Sequence, residues 1–311
     1  MKAFEVNING RILNYRNSRD LDLKDVEDFF AKKYQVVKIR QVKRHVVGIL
    51  EKDGRKLFLK LAPTEGISAV TQNEYQWNGQ FNKLVNRDSK FCVPQNFESG
   101  FYKDNLFYLV TDYFDGELYV KTPSKNENPG LVANDISRII DFAELVQDLP
   151  VDEFSLEDNE NYLERNFRKV ESWFYDIPKE IVEKFAVEKL MGFVGKNYPN
   201  LERRTRHGDF TPWHMFKLEN GKIGLFDGER AMRNGVEYYD VAYFIQRVFS
   251  VLENQNFAKA IFSLLKERNY DLEKLRVVLV SRAIGGFLDE SLKEKPNYKI
   301  AEEFKTWTLT F

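Results

Sequence analysis

Residues 206–231 read RHGDFTPWHMFKLENGKIGLFDGERA, and this stretch decides the fold. It holds two of the chain's three histidines, His207 and His214. Its acidic residues Asp209, Asp227 and Glu229 flank apolar runs that read as short buried strands. Asn220-Gly221 supplies a turn between those runs. One loop carries a carboxylate, a hairpin follows, and the next loop carries more carboxylates. Such loops can face one point in space, an arrangement that suits divalent-metal and phosphate chemistry.

Working outward, the N-terminal third reads as a small sheet with helices. Residues 1–20 alternate around Asn9-Gly10, which predicts a hairpin. Leu21–Tyr34 has apolar residues at helical spacing with acidic residues near its start. Gln35–Val42, Val46–Glu51 and Lys56–Ala62 read as successive antiparallel strands, the last two joined at Asp53-Gly54. Ser68–Val85 is expected to be a helix and Asn105–Tyr113 a strand. From about residue 116 the chain turns helical, over roughly 131–147, 159–175, 179–198, 237–252, 256–268 and 272–293. Lys121–Pro129 is the most loop-like segment, and the last sixty or so residues carry no legible motif.

At this point the sequence resembles a family. His207-Gly208-Asp209-Phe210-Thr211-Pro212-Trp213-His214, followed by Leu225-Phe226-Asp227-Gly228-Glu229, looks like the catalytic and metal-binding segments of the aminoglycoside phosphotransferase and choline kinase family. The resemblance implies an α+β, protein-kinase-like fold of two lobes. Residues 1–114 would form the nucleotide-binding lobe, with an antiparallel sheet. Residues 115–311 would form a larger helical lobe with the catalytic loops and the acceptor site.

The resemblance also implies roles. Asp209 would be the base that takes the acceptor's proton, and Asp227 the principal Mg²⁺ ligand. Lys60, inside the run Leu57–Ala62, matches the strand lysine that contacts the α- and β-phosphates of ATP. Glu74 matches the helix glutamate that orients it. Asp112 and Tyr113 would lie nearest the adenine edge. His207 would support the loop from beneath, and Asp240 would brace it.

Two features depart from the family pattern. His214 stands where the family usually has Asn, and a nitrogen ligand suits softer ions than Mg²⁺. It would ligate metal weakly, hydrogen-bond Asp209 or a phosphate, or mark loss of a second metal site. The phosphate-loop segment Lys43-Arg44-His45-Val46-Val47-Gly48 has one glycine where backbone approach to phosphate favours several. Side chains of Lys43, Arg44 or His45 would then add contacts. The bland alternative is a hairpin with a basic tip.

Composition narrows the function classes. Hydrophobic residues make up 43% of 311, enough for two sizeable cores, and 26 Phe and 15 Tyr suit packing between helices. The net charge of −1 gives no global field for nucleic acid. One cysteine, Cys92, excludes an internal disulfide and any paired-cysteine metal site. With no long apolar stretch, the expectation is a soluble, cytoplasmic protein and no membrane partner.

The leading expectation is therefore an ATP-dependent, Mg²⁺-assisted enzyme that phosphorylates a hydroxyl of a small molecule, of the aminoglycoside, amino alcohol or sugar class. The acidic pairs Asp152-Glu153, Glu157-Asp158 and Asp289-Glu290 would either line a cationic acceptor's site or form solvated surface. Two other readings stay open. One is a weak or inactive nucleotide-binding relative, suggested by His214 and the glycine-poor loop. The other is a metallohydrolase built from His207, Asp209, His214 and Asp227.

Overall fold

The structure is a computed structural model that describes residues 2–8, 10–103, 105–125, 127–157 and 160–310. The expected turn at Asn9 and the acidic Asp158 lie outside the described residues. The chain begins with a hairpin of β1 (Glu5–Ile8) and β2 (Arg11–Asn14), then α1 (Leu23–Ala31). The Asp22 carboxylate caps α1 by accepting from the Lys24 and Asp25 amides. Strands β3 (Gln35–Val42), β4 (His45–Lys52) and β5 (Arg55–Leu61) follow, then α2 (Glu65–Leu84) and the short β6 (Phe91–Cys92). With β7 (Asn96–Tyr102) and β8 (Leu106–Asp112) they complete an antiparallel sheet of order β3-β4-β5-β8-β7.

Strand periodicity positions the first functional side chain. Leu57, Leu59 and Leu61 of β5 share one face and join Val26 and Phe30 of α1 in a buried cluster. Lys60, between them, must point to the opposite face, where it meets α2. The alternation that builds the core therefore delivers the ammonium.

The rest of the chain is mostly helical. After β9 (Gly116–Leu118) come α3 (Gly130–Asp148), α4 (Tyr162–Tyr175), α5 (Lys179–Lys184) and α6 (Glu188–Asn197). Strands β10 (Arg203–Arg206), β11 (Met215–Leu218), β12 (Ile223–Leu225) and β13 (Met232–Val236) follow. Helices α7 (Tyr239–Ser250), α8 (Gln255–Glu267), α9 (Leu272–Ser291) and α10 (Tyr298–Thr308) complete the chain. Phe142, Phe210, Phe244 and Phe287 are fully buried in the large core these helices share. The protein is an α+β molecule of a sheet lobe and a helical lobe. No helix among the described residues is long and apolar enough to cross a membrane.

Three expectations need correction. The single helix over 179–198 is two, because Phe185 leaves the helical path to pack on Phe287 and Tyr298, with ring centroids 5.3 and 5.7 Å away. Ala186 takes a left-handed φ of 48° at that break. Strand β7 and helix α10 were not expected. The segment after Asp115-Gly116, read as a break, forms β9 and pairs with β11.

Candidate active site

Two small sheets hold the segment 206–231. Strand β10 pairs antiparallel with β13, with an irregularity between Arg204 and Arg206, and the loop 207–211 leaves from there. The β11–β12 hairpin turns at Asn220-Gly221 as expected, flanked by β9 on β11 and β6 on β12. The Phe226 amide donates to the His214 carbonyl at 3.1 Å, tying the two loops together.

The loop beneath Asp209 is braced as the sequence suggested. Asp240, at the start of α7, accepts from the His207 amide at 2.7 Å and the Gly208 amide at 2.9 Å. Burial pushes its carboxyl up to about 6, although both amides pull the other way. Gly208 has a φ of +81°, and a Cβ there would lie 2.4 Å from the Arg230 carbonyl oxygen. Only glycine fits this crossing of the two loops. Gly228 is equally constrained, since a Cβ would sit 2.3 Å from the Trp77 ring on α2.

Lys60 is the centre of a buried charge cluster. Its Nζ lies 2.6 Å from Glu74 Oε2, 2.5 Å from Asp227 Oδ1 and 2.9 Å from Glu229 Oε1. Burial favours the neutral amine, but Asp227, Glu229 and Glu74 outweigh it and hold the ammonium's pKa well above its usual value. Glu74 is pushed up to about 7, chiefly by burial. Asp227 and Glu229 are held far below the usual carboxylate range, Lys60 outweighing the opposing effect of burial. The Asp227 amide also reaches Glu74 Oε1 at 3.3 Å.

Glu229 does more than the sequence reading assigned to it. It is 1% exposed and binds Lys60, Arg44 and His45, whose Nε2 is 2.9 Å away. Arg44 and His45 belong to the β3–β4 turn, where Lys43 has a φ of 52°. The glycine-poor tip is therefore anchored by side chains onto the loop that follows β12, and Arg44 Nη1 also donates to the Tyr15 carbonyl at 3.0 Å. Nothing in a one-dimensional pattern marks this contact except the basic tip itself.

Asp209, His214 and Asp227 form a second group, with ligand atoms within 4.8 Å of one another. His214 Nε2 lies 3.4 Å from Asp227 Oδ2, and Nδ1 lies 3.1 Å from the Asp209 carbonyl and 3.8 Å from its Oδ1. Glu74, Asp227 and Glu229 also converge, but the Lys60 ammonium already sits among them. A divalent ion therefore suits the group of Asp209, His214 and Asp227. Its carboxylate oxygens fit a hard cation, with the imidazole as a less suited third donor.

His207 is not part of that group. Its ring is fully buried, its centroid 5.7 Å from Trp77 and 6.5 Å from Phe210, with no hydrogen-bond partner on either nitrogen. Burial pushes its pKa down to about 3, so it stays neutral. The four-ligand hydrolase set accordingly loses one member to the core. Asp112 ends β8 with an exposed side chain, and its amide is engaged by the Gln95 carbonyl at 3.0 Å. Tyr113 follows immediately beyond the strand.

Comparison with known proteins identifies the fold and the family. The sequence profile of the phosphotransferase enzyme family matches residues 44–277, well over half of the chain. No curated protein matches the chain at a significant level. Among solved structures, a thermostable aminoglycoside phosphotransferase APH(4)-Ia with ADP and hygromycin B superposes with a TM-score of 0.67 at 12% identity, covering 92% of this chain and 97% of that one. Choline kinase LicA from Streptococcus pneumoniae gives 0.56 at 13% identity, covering 92% and 97%. A GDP complex of an aminoglycoside 2'-phosphotransferase IIIa variant gives 0.58 at 12% identity, covering 93% and 95%. At such identities the structures speak for the fold and the profile for the family: the chain belongs to the phosphotransferase enzyme family.

Proposed function

We propose that the protein transfers the γ-phosphoryl group of ATP to a hydroxyl of a small molecule. One observation carries the reading: Lys60 is tied to both Glu74 and Asp227, while Asp227 shares a ligand group with Asp209. Phosphoryl transfer needs positioning and charge stabilisation more than covalent help from the protein. Lys60 would grip the nucleotide's phosphates, exchanging some carboxylate contacts for them. Asp209 takes the acceptor's proton as its oxygen bonds to phosphorus and the bond to the β–γ bridging oxygen breaks. Mg²⁺, held by Asp227 with His214 beside it, would neutralise phosphate charge. The backbone at Asp112 and Tyr113 would line the adenine pocket, with residues 1–114 as the nucleotide lobe and 115–311 as the acceptor lobe. We take the protein to act in the cytoplasm.

The test is phosphoryl transfer measured with Mg²⁺ and ATP for the wild type, Asp209→Asn and Asp227→Ala. Each substitution is expected to lower kcat by roughly 100-fold or more. Undiminished transfer in either variant would remove that residue from its role. A second reading, nucleotide binding with little turnover, is favoured by His214 in the place of Asn. Saturable ATP binding with no transfer to any acceptor, and none to water, would support it.

A further inference from the structure

Beside Asp209 lies a set of arginines that phosphoryl transfer, as described, does not use. Arg206 ends β10 three residues before Asp209, with its guanidinium carbon 3.9 Å from the centroid of the Tyr239 ring. Arg282 of α9 stacks on Tyr243 of α7 at 4.5 Å and on Trp173 of α4 at 4.7 Å. Arg247 lies 4.8 Å from the same Tyr243 ring, on the same helix. Tyr239, which carries Arg206 on its ring and meets Arg282 at its hydroxyl, precedes Asp240, the carboxylate that binds the His207 and Gly208 amides, so this aromatic and cationic wall adjoins the loop that bears Asp209.

The arginines of the wall differ in their partners. Arg247 is answered by Asp289 at 2.7 Å. Among the described residues, no carboxylate lies within ion-pair distance of Arg206, Arg230 or Arg282. Arg230 rests on Tyr15, its guanidinium carbon 4.0 Å from the ring centroid. Arg282 is 4% exposed, its Nε has no partner, and its Nη1 makes one long contact, 3.4 Å to the Tyr239 hydroxyl. Arg206 is also buried with an unpartnered Nε. A buried guanidinium with no anion is costly, and stacking on aromatic rings compensates only in part.

Four of the acidic residues that would have welcomed a cation are engaged elsewhere. Asp289 is held by Arg247, Glu290 by Lys293 and the Asn297 amide, and Glu153 and Glu157 by Arg233.

We propose that the acceptor is itself an anion, a hydroxyl compound whose carboxylate or phosphate ester is bound by Arg282 with Arg206 and Arg247 nearby. The inference rests on the phosphotransferase reading and adds the acceptor's class. Arginine suits both anions, because its planar donors match their oxygens in pairs. The acceptor hydroxyl loses its proton to Asp209, its oxygen gains the phosphorus, and ADP leaves with the electrons of the broken bond. The acceptor's own anionic group changes no bond.

The experiment is calorimetric titration of the full chain, loaded with Mg²⁺ and ADP, with glycerol, glycerate, glycerol 3-phosphate and choline. Glycerate or glycerol 3-phosphate is expected to saturate, and which of them does identifies the anion. Glycerol and choline are expected to bind at least roughly tenfold more weakly. Arg282→Gln should weaken the anion by roughly 10- to 100-fold, and Arg282→Lys should recover part of the loss by restoring the charge. Melting curves of both variants separate this effect from misfolding. Saturation by neither anion, tighter binding of choline, or unchanged anion affinity in both variants would overturn the proposal. Failure of the wild type to bind ADP at the loading step would count separately, against the phosphotransferase reading.

Discussion

At the scale of the residue, Glu229 and His207 show how burial sets chemistry. Among the described residues, Glu229 is the one carboxylate that touches both the strand lysine and the tip of the β3–β4 turn. Glu229→Gln keeps the shape and removes the charge, leaving Arg44 unanswered and Lys60 with two carboxylates. Thermal unfolding should show a loss of about 3 kcal/mol, and an unchanged melting temperature would refute this role. His207 carries an acid-sensitivity instead. Its folded pKa of about 3 lies below its ordinary 6.5, so the unfolded chain binds the proton first. The stability it supports is complete above about pH 6.5 and is lost as pH falls towards 3, a swing on the order of 5 kcal/mol. Denaturant titrations across that window should flatten in His207→Phe, and an equally steep curve would assign the acid-sensitivity to other groups. Both roles escape a reading of spacing. Asp209, Asp227 and Lys60 stand out because charges interrupt apolar runs. The Glu229 contacts and the unpaired Arg282 emerge only when distant segments fold together.

Elements explain why the site is held so closely. The loop 207–211 is gripped from below by Asp240 of α7 and from the side by the Arg230 backbone, which Gly208 approaches too closely for any Cβ. Gly208→Ala should therefore cost at least about 3 kcal/mol, since both its positive φ and the crossing loop oppose a side chain. Circular dichroism melts and soluble yield would check this, and wild-type stability in the variant would mean that the crossing is loose. Element boundaries were legible where local chemistry sets them, as at the Asp53-Gly54 and Asn220-Gly221 turns. They were not legible where tertiary packing decides. The Phe185 ring, drawn to Phe287 and Tyr298, splits a helix that the periodicity alone would continue.

For the whole molecule, the N-terminal hairpin and both lobes meet around the site. The Tyr15 hydroxyl donates to the Ala3 carbonyl at 2.9 Å and Lys169 of α4 contacts the same oxygen, so the N-terminal segment docks on the helical lobe. Burial would raise the Tyr15 hydroxyl's pKa, but Arg230 and Lys169 outweigh it and bring it down to about 8. A tyrosinate absorbance step near that pH, absent in Tyr15→Phe, is expected, and its persistence in the variant would contradict this docking. The two-lobed architecture was legible as a whole because strands and helices segregate along the sequence. The arginine wall was not, because arginines in amphipathic helices ordinarily face water. We propose that Lys60 and Asp227 form a nucleotide and metal site. Calorimetric titration with ATP, with Mg²⁺ and then with chelator, tests it most directly. The wild type should bind ATP saturably and more tightly with Mg²⁺, and Asp227→Ala should lose that metal-dependent gain. Absence of ATP binding by the wild type, or an undiminished Mg²⁺ gain in Asp227→Ala, would contradict it.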